Sequence, residues 1–422
     1  MKDIAEVWQP SRLKGIVVRA GAGLPFLSAG QVFEAVPVVR KWLARGHVPD
    51  EAGRYVSPEQ ILMSCSGRVG RITAVYPHHE NIVVTHDLLR IVPRDANHYG
   101  WLYAYMRTTQ FHGIASASQY GHMIKHLEPE HVQLMPVIMP STEVVEKTSR
   151  LVALVLEKRR EAAAIEAQAN AQYESLINPG GGILERVVHG TVKASSLNSS
   201  RRRLDAEHFR PDYQQIEQLV LSAGTRPLQS LEDVTEKVSL GNRFRRYFGE
   251  NGTSYRSAEE LFDLNAPVTK RVYAGLVDNR EKYTLKSGWI IMACSGQVYG
   301  LNGRVLLLTG AHDGIFGSHD LIRIIPRTEE IHTGYLLLVL GNPKYGRPLV
   351  IRNAYGTSIP HLDPVDVRDV PVPRFDAETE RRLGDMMVRV AELKAESDRL
   401  ENEATELAET VASVFVKSHG RQ

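Results

Sequence analysis

Apolar positions along this chain fall into two regimes, and the same succession of regimes occurs twice. Short apolar runs broken by Gly and Pro read as strands at 15–19, 60–64, 81–85 and 88–92, and again at 289–293, 303–308 and 321–325. A short helix is predicted after each set, at 100–106 and at 334–340. A Pro-punctuated extended stretch closes each set, at 135–140 and 370–373, and Pro confines it to an edge or an exit. A long helix follows each, with Ser141-Thr-Glu143 and Asp376-Ala-Glu378 as N-terminal signals. In the second, Met386, Val390, Leu393, Ser397, Leu400, Ala404, Leu407, Val411 and Val414 alternate by four and three, a coiled-coil seam. The first carries the same register 235 residues earlier: Leu151, Val155, Lys158, Ala162, Ile165, Ala169, Gln172 and Leu176.

The repetition extends to individual residues. Ile61-Leu-Met63-Ser-Cys65-Ser66-Gly67 returns as Ile290-Ile-Met292-Ala-Cys294-Ser295-Gly296. His86-Asp87-Leu88-Leu-Arg90 returns as His319-Asp320-Leu321-Ile-Arg323, and Tyr120-Gly121 returns as Tyr355-Gly356. The offset drifts only from 229 to 235. A period this long is too large for a solenoid, whose units run roughly 20–50 residues. The pattern predicts two homologous mixed α/β domains and two matched helices that pair with each other, antiparallel, in one chain. The divisions are 1–140 for the first domain, 141–177 for the first spacer helix and 178–202 for a turn-rich linker. The second domain with its leading helix takes 203–375, the helix itself read at 205–222, and the second spacer helix takes 376–418.

The 422 residues, 43% apolar and 24% charged, are ordinary for a soluble globular protein. Residues 1–140 carry 14 Lys and Arg against 11 Asp and Glu, 201–375 carry 23 against 20, and 376–422 carry 7 against 11. The small basic excess lies on the repeated domains and does not by itself establish a nucleic-acid partner. The two cysteines, Cys65 and Cys294, are repeat-equivalent and read as buried thiols of a reducing cytosol. No apolar run approaches the roughly 20 residues of a membrane span, and the first residues have no signal-peptide core. A cytoplasmic protein without membrane partners is expected.

These motifs carry a resemblance. With Arg203-Leu-Asp-Ala-Glu-His-Phe-Arg-Pro-Asp-Tyr213, Gly23-Leu-Pro-Phe-Leu-Ser-Ala29 and Gly252-Thr-Ser-Tyr-Arg-Ser-Ala258, the chain resembles the DNA-specificity subunit of type I restriction–modification systems over nearly its whole length. The resemblance implies two target-recognition domains, each reading half of a bipartite site in double-stranded DNA. It implies a helical spacer that docks two methyltransferase subunits, with restriction/translocase subunits as further partners. S-adenosylmethionine, ATP and Mg would belong to those partners, and this chain would hold no metal or cofactor and have no catalytic residue. One departure is that 203–222 has no counterpart ahead of the first domain.

Candidate DNA contacts are polar and basic residues in repeat-equivalent loops. Arg40 and Lys41 beside Trp42 match Lys270, Arg271 and Tyr273, adjacent cations with an aromatic suited to phosphate and sugar, although a solvated helix end would look the same. Ser66, Gly67, Arg68 and Arg71 match Ser295, Gly296 and Gln297; Arg commonly reads guanine and Gln adenine, while a plain hairpin turn is the alternative. Arg243, Arg245 and Arg246 with Tyr247 form the densest basic–aromatic cluster, and its equivalent region holds Arg12, Lys14 and Arg19. Tyr120 and His122, with Tyr355, Thr357 and Ser358, could reach a groove edge. Specificity would live where the copies differ.

Catalytic alternatives find little support. The chain lacks the Asn/Asp-Pro-Pro-Tyr/Phe methyltransferase motif, a phosphate loop and a nucleophile elbow. A hydrolase built on Ser66, His86 and Asp87, echoed by Ser295, His319 and Asp320, is opposed by the expectation that His and Asp adjacent on a strand point to opposite faces. A coiled-coil scaffold without DNA function is the remaining alternative. The two domains differ in most loop residues, so an asymmetric site is expected. A first helix of about 55 Å would hold the half-sites more than one DNA turn of about 34–36 Å apart.

Overall fold

A computed structural model describes residues 1–120, 126–182, 190–198 and 203–419. By compactness the chain divides into two units: Met1–Ala163 with Asp263–Asn265 and Leu393–Gln422, and Ala164–Phe262 with Ala266–Glu392.

The first unit contains strands Ala5–Trp8 (β1), Val17–Val18 (β2), Leu24–Leu27 (β3), Lys41–Leu43 (β4), Ile61–Ser64 (β5), Ile72–Ala74 (β6), Val83–Val84 (β7) and Leu88–Pro93 (β8). An antiparallel sheet has the order β1-β8-β5-β6, and a smaller one has the order β2-β4-β3-β7 with β3 and β7 parallel. Side chains alternate across the larger sheet. Ile61, Met63, Leu89 and Ile91 face the helix Tyr99–Met106, while Leu62 and Leu88 join Leu27, Val32 and Val84 in a second cluster. Every residue from Gly100 to Met106 is buried, as expected of a helix apolar on all sides. The long helix Thr142–Ile177 contributes Leu151, Val152 and Val155 to the same core, and the long helix Ala377–His419 contributes Leu400, Ala404 and Ala408.

The second unit repeats the plan with Gln229–Ser230 (β9), Thr235–Leu240 (β10), Phe248–Arg256 (β11), Arg271–Val272 (β12), Ile290–Ala293 (β13), Val305–Leu307 (β14), Phe316–Gly317 (β15), Leu321–Pro326 (β16) and Pro371–Val372 (β17). The order β10-β16-β13-β14 matches β1-β8-β5-β6 strand for strand. In the smaller sheet, β11 pairs with β12 through both ends, Phe248 and Thr253 each opposite Val272, and runs parallel to β15. The buried helix is Thr333–Gly341, and Ala169, Tyr173 and Ile177 of the first long helix close the core beside Leu383 and Met387 of the second.

The mixed α/β reading holds, and several local expectations change. The leading helix runs Pro211–Ala223 and does not start at 205. Pro211 sits in its first turn, and a residue preceding Pro is driven out of the helical region. Of the two Pro-rich exits, only the second forms a strand, β17 against β9. In the first, backbone carbonyls serve other donors: the Met1 ammonium donates to Met135 O at 2.7 Å and Trp101 Nε1 to Ile138 O at 2.9 Å.

The buried stripe of each long helix is also rotated from the predicted seam. Leu151, Val155, Ala162, Ala169, Val390, Leu393, Ser397, Leu400 and Ala404 are buried as expected. Elsewhere the buried residue is the next one along: Arg159 and not Lys158, Tyr173 and not Gln172, Ile177 and not Leu176, Met387 and not Met386, Ala408 and not Leu407, Ala412 and not Val411. Ile165 is half-buried and Val414 is exposed. The stripe faces a domain core as well as another helix, so it sits where both can cover it. The misplaced polar residues then become partners at the margin. In the first unit Lys158 lies 3.3 Å from Glu396, and Arg159 pairs with Asp398 at 2.5 Å. In the second unit Gln172 accepts from Arg382.

Close approach of helices is set by matched glycines. A Cβ at Gly100 would strike the backbone of Ser149, and one at Gly334 the backbone of Gly384. Substituting Ala at either position should cost about 1–3 kcal/mol through overpacking, despite the better helix propensity of Ala. Thermal unfolding of G100A and G334A checks this; an undiminished Tm would show that the helices separate freely there.

A second matched device is a histidine that closes a turn. The Tyr76 N–H donates to His79 Nδ1 at 3.1 Å, so Nε2 carries the proton and faces Val32 O at 2.9 Å. His312 repeats the contact with Thr309 N at 3.2 Å. Burial, aided by Arg159, holds His79 down to about 4 against the opposing bond to Val32. The unfolded residue takes its proton near 6.5. Stability from neutral His79 is therefore complete above that value and lost as pH falls toward 4, where the unfolded chain alone binds the proton. The loss should be roughly 3 kcal/mol between pH 7 and 4. Urea unfolding across this window should slope in the wild type and less steeply in H79Q; equal slopes would mean that His79 is not the titrating group.

Candidate nucleic-acid interface

The loops that follow β1 and β10 carry the first set of candidates. Arg12, Lys14 and Arg19 are exposed in the first unit, as are Arg243, Arg245 and Arg246 in the second. In the second unit the loop is pinned by aromatic packing. Phe244 lies 4.6 Å from the Tyr283 ring and 5.5 Å from Phe316, and Tyr283 donates its hydroxyl to Asn242 O at 2.9 Å. The anchored loop turns its arginines outward, Arg245 resting over Tyr247 at 5.1 Å and Arg246 over Tyr255 at 5.6 Å.

The matched His-Asp pairs join this loop to the rest of each site. In the second unit Arg246 Nη2 lies 3.2 Å from His319 Nδ1, and His319 Nε2 lies 3.4 Å from Asp320. Ser295 donates to Asp320 at 3.2 Å or meets His361 Nδ1 at 2.9 Å. His361 Nε2 lies 3.6 Å from Asp363, whose other oxygen accepts from the Tyr355 hydroxyl at 2.7 Å. One polar chain thus links Arg246, His319, Asp320, Ser295, His361, Asp363 and Tyr355. The first unit keeps much of the frame: Leu13 N donates to His86 Nδ1 at 3.3 Å, His86 Nε2 lies 3.7 Å from Asp87, and Tyr120 donates to Glu128. Burial, together with Arg246, Arg243 and Arg323, holds His319 below its ordinary value against the pull of Asp320.

The pairs do not lie on strands, as the sequence pattern had led us to expect. They occupy the turns just before β8 and β16, where Asp87 N bonds Thr85 Oγ1 and Asp320 N bonds Ser318 Oγ, each at 3.2 Å. His and Asp therefore face one another. The hydrolase reading still gains nothing, because His319 is occupied by Arg246 and Asp320. The Gly296 N–H, placed to meet an oxyanion after Ser295, is spent on Pro360 O at 3.1 Å.

The Ser-Gly turns need glycine, with φ of 70° at Gly67 and 120° at Gly296. Beyond them Arg68 is exposed, whereas the Gln297 amide donates to Ser358 O at 2.8 Å and so braces the loop that presents Thr357 and Ser358. Tyr120 and Tyr355 are both exposed at the loop mouths, and each pairs across with a histidine, His126 or His361. His122 lies outside the described residues.

One cation of each pair lies on a strand and the other just before it, so the helix-end alternative is set aside. Lys41 is exposed on β4, and Arg40 just before it pairs with Glu34. Arg271 is exposed on β12, with Lys270 just before it, 3.1 Å from Glu260, and exposed Tyr273 just after it. Arg71 is committed inward, 3.0 Å from Asp263 and over the Phe33 ring at 4.1 Å.

Three features escaped the sequence reading. His361 completes the polar chain from 66 residues beyond Ser295. Phe248 is half exposed on β11. Arg90 and Arg323 are buried beneath the sites, each donating to the carbonyl two residues back, Leu88 at 2.8 Å and Leu321 at 2.6 Å. Each lies over an aromatic ring, Trp8 or Tyr283, and burial lowers both to about 10. The repeat of Arg90 in Arg323 was visible, but strand periodicity cannot reveal a buried cation. Cys65 and Cys294 are buried as expected, and burial pushes both thiols up to about 12.

No family model and no curated protein matches the chain. Over nearly its whole length it is similar to type I restriction–modification S subunits of known structure. The S subunit from M. genitalium is 11% identical, with 97% of this chain and 94% of that one covered and a TM-score of 0.38. The HsdS subunit from Thermoanaerobacter tengcongensis is 14% identical over 95% and 93%, at 0.28. A chain from a structural study of assembly and conformational transition in the type I R-M system is 14% identical over 97% and 97%, at 0.30. At these scores the matches say what the chain is similar to, and residue roles rest on its own geometry. Among the described residues no helix is long and apolar enough to cross a membrane.

Proposed function

We propose that this chain is the DNA-specificity subunit of a type I restriction–modification complex, a non-catalytic protein that reads an asymmetric bipartite site with one domain per half. The observation that carries this reading is the doubled frame. The same sheet, the same His-Asp turn and the same buried arginine occur twice, beneath loops whose exposed residues differ. A frame repeated with variable loops suits two related but unequal sequence readers. Arg12, Lys14, Arg19 and Lys41 on one unit, and Arg243, Arg245, Arg246, Lys270 and Arg271 on the other, would contact phosphates. Arg68, Tyr120, Gln297, Tyr355, Thr357 and Ser358 would read base edges.

In this reading residues 1–140 and 203–375 are the two recognition domains, and the two long helices pair antiparallel as the spacer and dock two methyltransferase subunits. Contacts inside each unit support the antiparallel sense: Lys158 meets Glu396, whereas Gln172, farther along the first helix, meets Arg382, earlier in the second. Methyl transfer, ATP use and cleavage would reside in partner subunits, with their S-adenosylmethionine, ATP and Mg.

Sequencing modified bases in cells that carry this chain with its methyltransferase partner tests the reading. One interrupted, non-palindromic motif is expected; a methylome without it would leave the scaffold alternative, which also predicts no salt-sensitive DNA binding. The spacer is tested by removing one heptad from each long helix at paired positions. Seven residues shorten a helix by about 10 Å, so the unread gap should shrink by about three base pairs at 3.4 Å each. An unchanged gap would remove the helices from the role of ruler.

A further inference from the structure

In the second unit the small sheet opens into a groove of about 560 Å3 lined by Phe248, Glu250, Val268, Thr269, Lys270 and Arg271. The volume falls within the range of small-ligand sites, about 300–1,000 Å3. Its chemistry is mixed in an unusual way. Phe248 and Val268 are half exposed, 50% and 46%, so a sizeable apolar surface faces water. Phe248 is held by its strand partner Val272 and by edge-to-face contact with Tyr255 at 5.7 Å. A second aromatic stands beside it: the Tyr273 ring lies against Gly249, where any Cβ would run into it. Lys270 is tethered to Glu260, and Arg271, which donates to Gly252 O at 3.2 Å, has no carboxylate partner among the described residues.

An aromatic face bordered by cations fits a nucleobase together with its phosphate. The exposed Glu250 carboxylate repels phosphate and accepts hydrogen bonds, so it favours a base with an exocyclic amine, adenine, cytosine or guanine, over thymine. A base can reach such a groove only after leaving its stack. The first unit lacks the device. Val17 lies opposite Leu43 as Phe248 lies opposite Val272, and it is 60% exposed, but it offers no aromatic face.

We propose that the second unit captures one unstacked, amino-bearing base of its half-site, stacked on Phe248 with its amine toward Glu250 and its phosphate toward Lys270 and Arg271, and that the first unit reads paired bases only. This rests on the DNA reading above. The test uses the full chain with its methyltransferase partners and a duplex selected from a randomised pool. A single mismatch is then walked through the selected site, leaving each adenine, cytosine and guanine unpaired in turn. Unpairing removes the cost of extrusion, so one position in one half-site should bind about tenfold more tightly. Phe248→Ala should abolish that gain and weaken matched-duplex binding as well, Phe248→Tyr should keep both, and Val17→Ala should leave the gain untouched. No gain at any position, or a gain that survives Phe248→Ala, overturns the inference while the DNA reading stands. Failure to recover any duplex overturns both. Should Phe248→Ala fail to fold, Glu250→Gln decides: losing the preference for unpaired adenine, cytosine or guanine over thymine supports capture, and keeping it overturns capture.

Discussion

Everything in each unit depends on covering a helix that is apolar on every side. Gly100–Met106 and Gly334–Leu340 are buried throughout, so a sheet on one face cannot satisfy them. The long helices supply the other cover. Leu151, Val152 and Val155 with Leu400, Ala404 and Ala408 close one core; Ala169, Tyr173 and Ile177 with Leu383 and Met387 close the other. Glycine at the second position of each helix lets the backbones approach in both. A core finished by the long helices cannot part from them without exposing this apolar surface to water.

The same constraint explains the polar residues inside the helical stripe. Arg159 is buried at a position an apolar residue would normally take, and a buried charge must be paired. Asp398 answers it, and nearby Glu401 gathers Tyr76 at 3.2 Å, Asn265 at 2.5 Å and Arg107 at 3.4 Å. Burial pushes Glu401 up, but the Arg107 and Arg159 guanidiniums prevail and hold it below the usual carboxylate range. Such a network tolerates one arrangement of its parts, so it fixes register where a wholly apolar stripe could slide.

Long elements were legible in the sequence because period and repetition agree over many residues. The helices at 142–177 and 377–419 and the strands β5, β8, β13 and β16 fall close to where the pattern puts them. The small sheets were not legible. Two-residue strands such as β2, β7 and β12 have no period to detect, and β11 carries Gly249 and Gly252 and buries only Tyr255. The buried stripe slipped by one position for a different reason: a helical seam read alone assumes one partner, and these helices have two. In the candidate site the arginine cluster was visible in composition. Ser295 meeting His361, and Phe248 meeting Tyr255 across a strand that bends back, are products of tertiary folding and leave no local signature.

Repetition also separates what the fold requires from what it is free to vary. His86 and His319, Asp87 and Asp320, and Arg90 and Arg323 hold matching places and make matching bonds. These residues are half-buried or buried, and changing one would leave a neighbour without its partner. The donor to the histidine shows the other class. The first unit supplies the Leu13 backbone N–H and the second the Arg246 guanidinium, so the frame keeps a contact to the histidine with different donors. Val17 against Phe248 and Arg68 against Gln297 vary in the same way at the surface. A frame that keeps its internal bonds while its outward residues change can acquire a new preference without refolding, and duplicating it gives two such surfaces that can diverge independently.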